Sequence, residues 1–340
     1  MSVKKENSPI AQDVLSWELF RKGALKRKNK LPLTCTLDNR LVLATKSFFV
    51  VGGLGAFIPG YYLIITKNFY SSFAQLTDEE VIEFEWLISF LNKSLMENYS
   101  KHSAIFEHGM CSCAGGLDHA HVHMMPVPKR INTQELELII DKVLKKRSAG
   151  IQKIEFNNHT FDNVHDISSI INFQDNYKIL EGKLLKFDDL KNFKENFSSI
   201  RNLLLNEEQY ISFSIPEKNF LFCTKHYLGT QFGRELVSEV LFKFDEDLKK
   251  LFSSLNRSNP TKLIWRWQDY NFENNILKTI KDLSIFLDKN KKDIKFKKYQ
   301  VKNCVNVKIK PRLKLIHNQD IYHSDRIINE DSNECERPFA

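Results

Sequence analysis

The chain has 340 residues and a formal net charge of +8 at neutral pH, a length that favours two lobes or one core with a large insertion or tail. A pI near 9.0 favours anionic partners such as nucleotides, nucleic acids or anionic lipid surfaces. Six cysteines are too sparse for a disulfide framework, and the opening Met-Ser-Val-Lys-Lys-Glu-Asn-Ser-Pro lacks the apolar core of a signal peptide, so a cytoplasmic protein with reduced thiols is expected.

Residues 1–29 read as an N-terminal segment, and the first folded unit is expected over residues 30–130. Residues 41–51 and 61–67 are apolar and rich in β-branched and aromatic side chains, as neighbouring antiparallel strands would be. The uncharged stretch 47–66 has about the length of a membrane span. Gly52, Gly53, Gly55, Pro59 and Gly60 punctuate it, however, and that is turn chemistry between two strands, so no membrane partner is expected. Thr77-Asp78-Glu79-Glu80 is a capping box that opens a helix to about Tyr99, with Val81, Phe84, Leu87, Ile88, Leu91 and Leu95 on one face. Strands are expected at 103–108 and 119–127.

A second amphipathic helix follows Thr133, carrying Leu136, Ile139, Ile140, Val143 and Leu144. The pattern then fades, so residues 131–205 read as a helix and a long connection. Strands at 210–215 and 219–224, joined around Pro216, and a helix from about Phe232 to Phe252 suggest a second, smaller α+β lobe over 206–272. Residues 273–340 begin with an amphipathic helix near 273–287 and continue as a basic segment with Lys289, Lys291, Lys292, Lys295, Lys297, Lys298, Lys302, Lys308 and Lys310. Such a run is most often a solvated face. Beyond Lys310 no pattern remains and partial disorder is expected. The element order predicts an α+β fold whose mainly antiparallel sheet is flanked by helices.

Residues 118–127 read Asp-His-Ala-His-Val-His-Met-Met-Pro-Val, so His119, His121 and His123 alternate with Ala120, Val122 and Met124. Period two is that of a strand, and all three imidazoles should leave one face while the apolar residues bury on the other. A helix would spread the rings over more than half its circumference. Imidazole is the side chain best able to act as nucleophile or proton carrier near neutral pH. From the residues alone three readings stay open: phosphate chemistry, a zinc site to which Cys111 and Cys113 add sulfur, and a structural histidine cluster.

The run His119-Ala-His121-Val-His123-Met-Met resembles the motif that defines the histidine triad (HIT) superfamily of nucleotide hydrolases and transferases. Phe106-Glu107-His108-Gly109 and the loop to Gly115-Gly116 resemble the strand and loop that lead into that motif. Leu54-Gly55-Ala-Phe-Ile-Pro59-Gly60-Tyr-Tyr-Leu-Ile-Ile-Thr-Lys67 is similar to the family's Pro-Gly-His-x-Leu-φ-φ-Pro-Lys strand, with tyrosine and threonine at its histidine and proline positions. The resemblance implies a HIT-like sheet and attack by neutral His121 at a nucleoside α-phosphorus, giving a phosphoramidate that water hydrolyses. His119 and His123 would hold non-bridging oxygens, with His108, Gly115 and Gly116 in the substrate pocket. Histidine rather than glutamine at position 123 implies hydrolysis rather than nucleotidyl transfer. Substrates would be dinucleoside polyphosphates or nucleoside phosphoramidates. No cofactor is implied beyond a divalent metal carried on the substrate phosphates. Gly116 stands where many members carry a hydroxyl, and Val50–Gly55 lacks their ribose-binding acid, which implies backbone amides in the pocket or an altered sugar or base. Many relatives form homodimers by joining sheets, an edge that the second lobe here could cover instead.

Gln231-Phe232-Gly233-Arg234-Glu235-Leu236 and Trp265-Arg266-Trp267 resemble the region after the HIT domain in CwfJ-type proteins of RNA processing and in uncharacterised bacterial HIT proteins. Physically, Phe232, Leu236, Val240 and Leu241 make a helix face for packing. Arg234 near a helix start suits a phosphate contact, or more simply an ion pair. Trp265 and Trp267 are expected on one strand face, in core or interface. Two further functional readings follow: a protein that processes or binds RNA or DNA ends, and a non-catalytic nucleotide-binding or interaction protein.

Overall fold

Residues 41–52 are apolar except at Thr45-Lys46-Ser47, and that triplet turns the chain. In the computed structural model, which describes residues 40–109, 119–143, 185–187, 209–216, 218–224, 231–267, 269–270 and 272–305, the expected strand 41–51 is a hairpin of β1 (Leu41–Ala44) and β2 (Phe48–Gly52). The Thr45 N–H donates to the Phe48 carbonyl at 2.9 Å, and the Phe48 N–H donates to Thr45 Oγ1 at 3.0 Å. A threonine hydroxyl that captures a nearby amide is what stops the strand there. β3 (Tyr62–Thr66) pairs antiparallel with β2. The uncharged stretch is therefore strand, loop and strand, and among the described residues no helix is long and apolar enough to cross a membrane.

Helix α1 (Asp78–Tyr99) begins at the expected capping box: Thr77 Oγ1 accepts from the Glu80 N–H at 3.3 Å, and Glu80 Oε2 accepts from the Thr77 N–H at 2.9 Å. Its apolar face buries Phe84 against Phe73 and Phe48, with ring centroids 4.8 and 5.7 Å away. Glu83 accepts from both the N–H and the hydroxyl of Ser47 at 2.9 Å, tying the helix to the β1–β2 turn. Next come β4 (His102–Gly109), β5 (His121–Val127) and helix α2, described over residues 133–143. Strands β6 (Leu185–Phe187), β7 (Gln209–Ile215) and β8 (Lys218–Thr224) follow. The chain continues as α3 (Phe232–Phe244), α4 (Glu246–Ser258), α5 (Glu273–Asn290), the short α6 (Ile294–Lys298) and β9 (Lys302–Asn303).

The fold is α+β, with one antiparallel sheet of nine described strands in the order β6-β8-β7-β4-β5-β3-β2-β1-β9. The strands of the second α+β segment extend the same sheet and cover its edge: β7 pairs with β4 from Ile105 opposite Ser214 to Gly109 opposite Tyr210. The reason lies in β4, which is buried on both faces from Ser103 to Glu107, so its outer backbone groups require a strand partner. That edge is consequently not open to a second copy of the chain. Phe106, Phe213 and Leu236 belong to one hydrophobic cluster. The expected helix 232–252 is two helices, because Asp245 leaves helical geometry (φ −124°, ψ 101°) and caps α4 by accepting from the Leu248 N–H at 3.0 Å.

Register divides the sheet into two faces. Val122 and Met124 share a face with Ile64, Tyr62 and Phe48, the face that α1 covers, whereas His121 and His123 share the other with Ile65, Leu63 and Phe106. Helix α3 crosses β4 and β5 on that histidine face. The N-terminal segment, most of residues 131–205 and the tail beyond residue 305 lie outside the described residues.

Thr77→Ala removes one half of the capping box and should lower the unfolding free energy by about 1 kcal/mol. Urea titration should show an earlier midpoint with an unchanged slope.

Candidate active site

The alternation on β5 does what its period requires: Ala120, Val122 and Met124 are buried, and His121 and His123 are half-buried at the opposite face. The strand begins at His121 rather than His119. His119 lies in the lead-in, where the Ala120 N–H donates to the Tyr70 carbonyl at 2.7 Å. The His119 ring is buried against the edge of Phe69, with centroids 5.3 Å apart.

Hydrogen bonding assigns the histidine tautomers, because a carbonyl can only accept. His121 Nδ1 lies 2.8 Å from the carbonyl of His119, so Nδ1 carries the proton and Nε2 presents its lone pair. Burial lowers the His121 pKa below the ordinary histidine value, partly offset by that same hydrogen bond. His123 stacks on Phe106 with centroids 4.4 Å apart and planes 8° apart, and its Nδ1 is bonded to the Tyr61 hydroxyl. Its pKa is held well below the usual value, first by burial, then by the repulsion that a second proton on the His121–His108 group would meet, and by the charge of Arg234. The His121 and His123 rings are 5.1 Å apart, and His108 is 6.0 Å from His123. His108 Nε2 accepts the Gly233 N–H at 3.1 Å. Three of the expected site histidines therefore converge on one face.

His119 is turned toward the end of β3. Its Nε2–H donates to the Thr66 carbonyl at 2.7 Å, with Thr66 Oγ1 at 3.1 Å. The carbonyl of the same residue accepts from His121 Nδ1 and so orients that ring. Gly115, Gly116, Cys111 and Cys113 lie outside the described residues. Among the described residues, no three His, Cys, Asp or Glu side chains are grouped as a metal site.

Arg234 fills neither of its expected roles. It is 3% exposed, and its donors go to main-chain carbonyls: Nε to Trp265 at 2.7 Å, Nη1 to Leu54 at 2.7 Å and Nη2 to Gly55 at 2.6 Å. The Trp265–Trp267 segment is a turn rather than a strand, since the Trp267 N–H donates to Gln231 Oε1 at 3.1 Å. Gly55 has φ +58°, and a Cβ there would come within 2.6 Å of the Trp267 backbone, so only glycine suits the position. Helix α5 pins the same loop: Asn275 Nδ2 donates to the Ala56 carbonyl at 2.8 Å, and Thr279 Oγ1 accepts from the Gly60 N–H at 2.7 Å.

Tyr61 and Thr66, which sequence reasoning left without a role, are direct partners of His123 and His119. The signal was present in the β3 motif, as the two positions where tyrosine and threonine replace the more common residues. Gly233 was likewise missed. A Cβ there would meet the Phe106 ring at 2.2 Å, so α3 can lie on the ring that stacks on His123 only because this residue is glycine.

No protein-family model matches the chain, and no curated protein matches it significantly. The site is thus characterised by its own geometry: a neutral imidazole with an unprotonated Nε2, beside two further rings with hydrogen-bonded nitrogens.

Two outcomes follow. In the unfolded chain His121 and His123 bind a proton near pH 6.5, whereas the fold resists it. Their contribution to stability is full above that pH and is lost as pH falls below it toward the folded values. Urea midpoints should therefore drop on the acid side of about pH 6.5, and less so in His123→Gln. Gly233→Ala overpacks the α3–β4 contact and should cost about 1–3 kcal/mol, read by the same titration.

Proposed function

We propose that the chain is a HIT-type nucleotide hydrolase that acts at a nucleoside α-phosphate through a covalent nucleotidyl-histidine intermediate. The observation that supports this reading is the hydrogen bond from His121 Nδ1 to the His119 carbonyl, which leaves Nε2 as the nucleophilic atom. His121 Nε2 attacks the α-phosphorus, a P–N bond forms, and the P–O or P–N bond to the leaving group breaks. Water then attacks the phosphoramidate, releases the nucleoside monophosphate and restores the neutral ring. The lowered His121 pKa favours the chemistry, since the nucleophile needs no deprotonation at neutral pH.

Dinucleoside polyphosphates and nucleoside phosphoramidates are the proposed substrates. The reading requires no resident cofactor, and any divalent metal arrives on the substrate phosphates. A cytoplasmic nucleotide pool is the proposed setting. A homodimer, if formed, would use a surface other than the β4 edge, which β7 occupies.

A second reading, the processing or binding of RNA or DNA ends, is favoured by two observations. The Gln231–Leu236 motif is built into the histidine site through Gly233 and Arg234, and Lys291, Lys292, Lys295, Lys297 and Lys298 are exposed. Nucleic-acid affinity on this reading falls steeply with salt, with a slope set by the phosphates contacted. Ready cleavage of dinucleotides with no binding of, or competition by, long RNA sets this reading aside.

Intact-mass measurement after quenching with a panel of nucleotides should show an adduct of nucleotidyl size on His121, with monophosphate released. His121→Ala should abolish the adduct and reduce turnover by roughly a thousandfold or more, with little effect on folding. The acid limb of kcat/KM should lie below about pH 6.5, because protonation of a ring with a lowered pKa needs a lower pH. Nucleotide binding without turnover or adduct would overturn the hydrolase in favour of a non-catalytic nucleotide-binding protein.

A further inference from the structure

Consecutive residues at the start of α3 brace both aromatic neighbours of His123. Gly233 lies against the Phe106 ring, within 2.2 Å of where its Cβ would be, and Phe106 stacks on His123. Arg234 lies over the Tyr61 ring, with Cζ 5.3 Å from the centroid, and Tyr61 bonds to His123 Nδ1. The three carbonyls that hold the guanidinium leave it little freedom to move.

A neutral imidazole has one N–H and one lone pair. The Tyr61–His123 bond can therefore run in either direction, and the direction determines what His123 offers at Nε2. If Nδ1 donates, Nε2 holds a lone pair and the ring duplicates His121. If Nδ1 accepts, Nε2 holds the proton and the ring is a donor. A fixed cation beside the phenol makes its oxygen a poorer acceptor and its O–H a better donor, and it opposes a further positive charge on the ring.

We propose that Arg234 is a positioning residue that, through Tyr61, fixes His123 as the Nε2–H tautomer, so that His123 offers a hydrogen-bond donor where neighbouring His121 offers a lone pair. Burial raises the Tyr61 pKa against the opposing pull of Arg234, so the phenol keeps the proton it donates. The use of this arrangement rests on the nucleotidyl-transfer reading: the Nε2–H of His123 donates to a phosphate oxygen in the transition state and keeps its proton. The tautomer itself does not depend on that reading.

Long-range 15N–1H spectra of the full chain labelled at histidine distinguish the two tautomers directly. His123 is expected as Nε2–H and His121 as Nδ1–H. Tyr61→Phe keeps the ring and removes the hydroxyl, and should convert His123 to a mixture of tautomers while His121 is unchanged. Arg234→Lys keeps the charge but not the three-carbonyl grip, and should move His123 in the same direction. Tyr61→Phe should also lower kcat roughly ten- to a hundredfold, with KM within about threefold. His123 found as Nδ1–H in the native chain, or unaltered in a folded Tyr61→Phe variant, overturns the proposal, as does an altered tautomer with unchanged kcat. The expected tautomers in a chain that cleaves no nucleotide support the positioning role and remove only the hydrolase reading.

Discussion

Taking a guanidinium out of water is tolerable only when its donors are satisfied, and the three carbonyls around Arg234 meet that demand from two separate loops. Carbonyls differ from a carboxylate in one important respect: they satisfy the donors without neutralising the charge. The positive field persists inside the protein and contributes to the low pKa of His123. The same bonds join segments far apart in the chain, because Arg234 and Leu54 are separated by 180 positions. The glycine loop, the 265–267 turn and the histidine strand are therefore not independent. Loss of the guanidinium would release both loops and alter the electrostatics of the site together.

The continuous sheet follows from a related constraint. β4 is buried on both faces, and a strand of that kind must be paired on both edges. β5 supplies one partner and β7 the other. This pairing brings the region after residue 206 onto the histidine face, where α3 can reach His108 through the Gly233 N–H and Tyr61 through Arg234. A separate lobe could not hold those groups to within hydrogen-bond distance, since relative motion of domains is the ordinary expectation.

The parts of this arrangement that were legible in the sequence are those governed by local chemistry. The capping box at Thr77 and the alternation from His119 to Met124 declare themselves within a few residues, because helix caps and strand period are set by near neighbours. The hairpin at Thr45 and the break at Asp245 were also written locally, as a hydroxyl and a carboxylate that cap backbone amides, but apolar residues on both sides of Thr45 and a helical spacing that resumes after Asp245 masked them. What could not be read depends on distant contacts. That Tyr61 meets His123, that Thr66 meets His119 and that Gly233 is needed for the Phe106 ring are consequences of packing. His119 shows the limit most clearly: period two predicted its face, while the partner of its Nε2 was decided by where Thr66 ends β3.

Two neutral rings pose an electrostatic problem for phosphate chemistry, and Arg234 bears on it. On the proposed reading, desolvation keeps His121 able to attack and His123 able to donate, but neither ring then carries charge to match a phosphate. Raising the histidine pKa values would supply that charge and would cost the nucleophile. A permanently charged guanidinium placed behind the rings separates the two requirements, because it cannot lose its proton near neutral pH. Tyr61 lies between charge and ring, so on the proposed reading the cation would act on a phosphate through the field and on His123 through a hydrogen bond. On the proposed reading the strand provides the reacting atoms, and the helix from the far part of the chain provides the charge that lets them stay neutral.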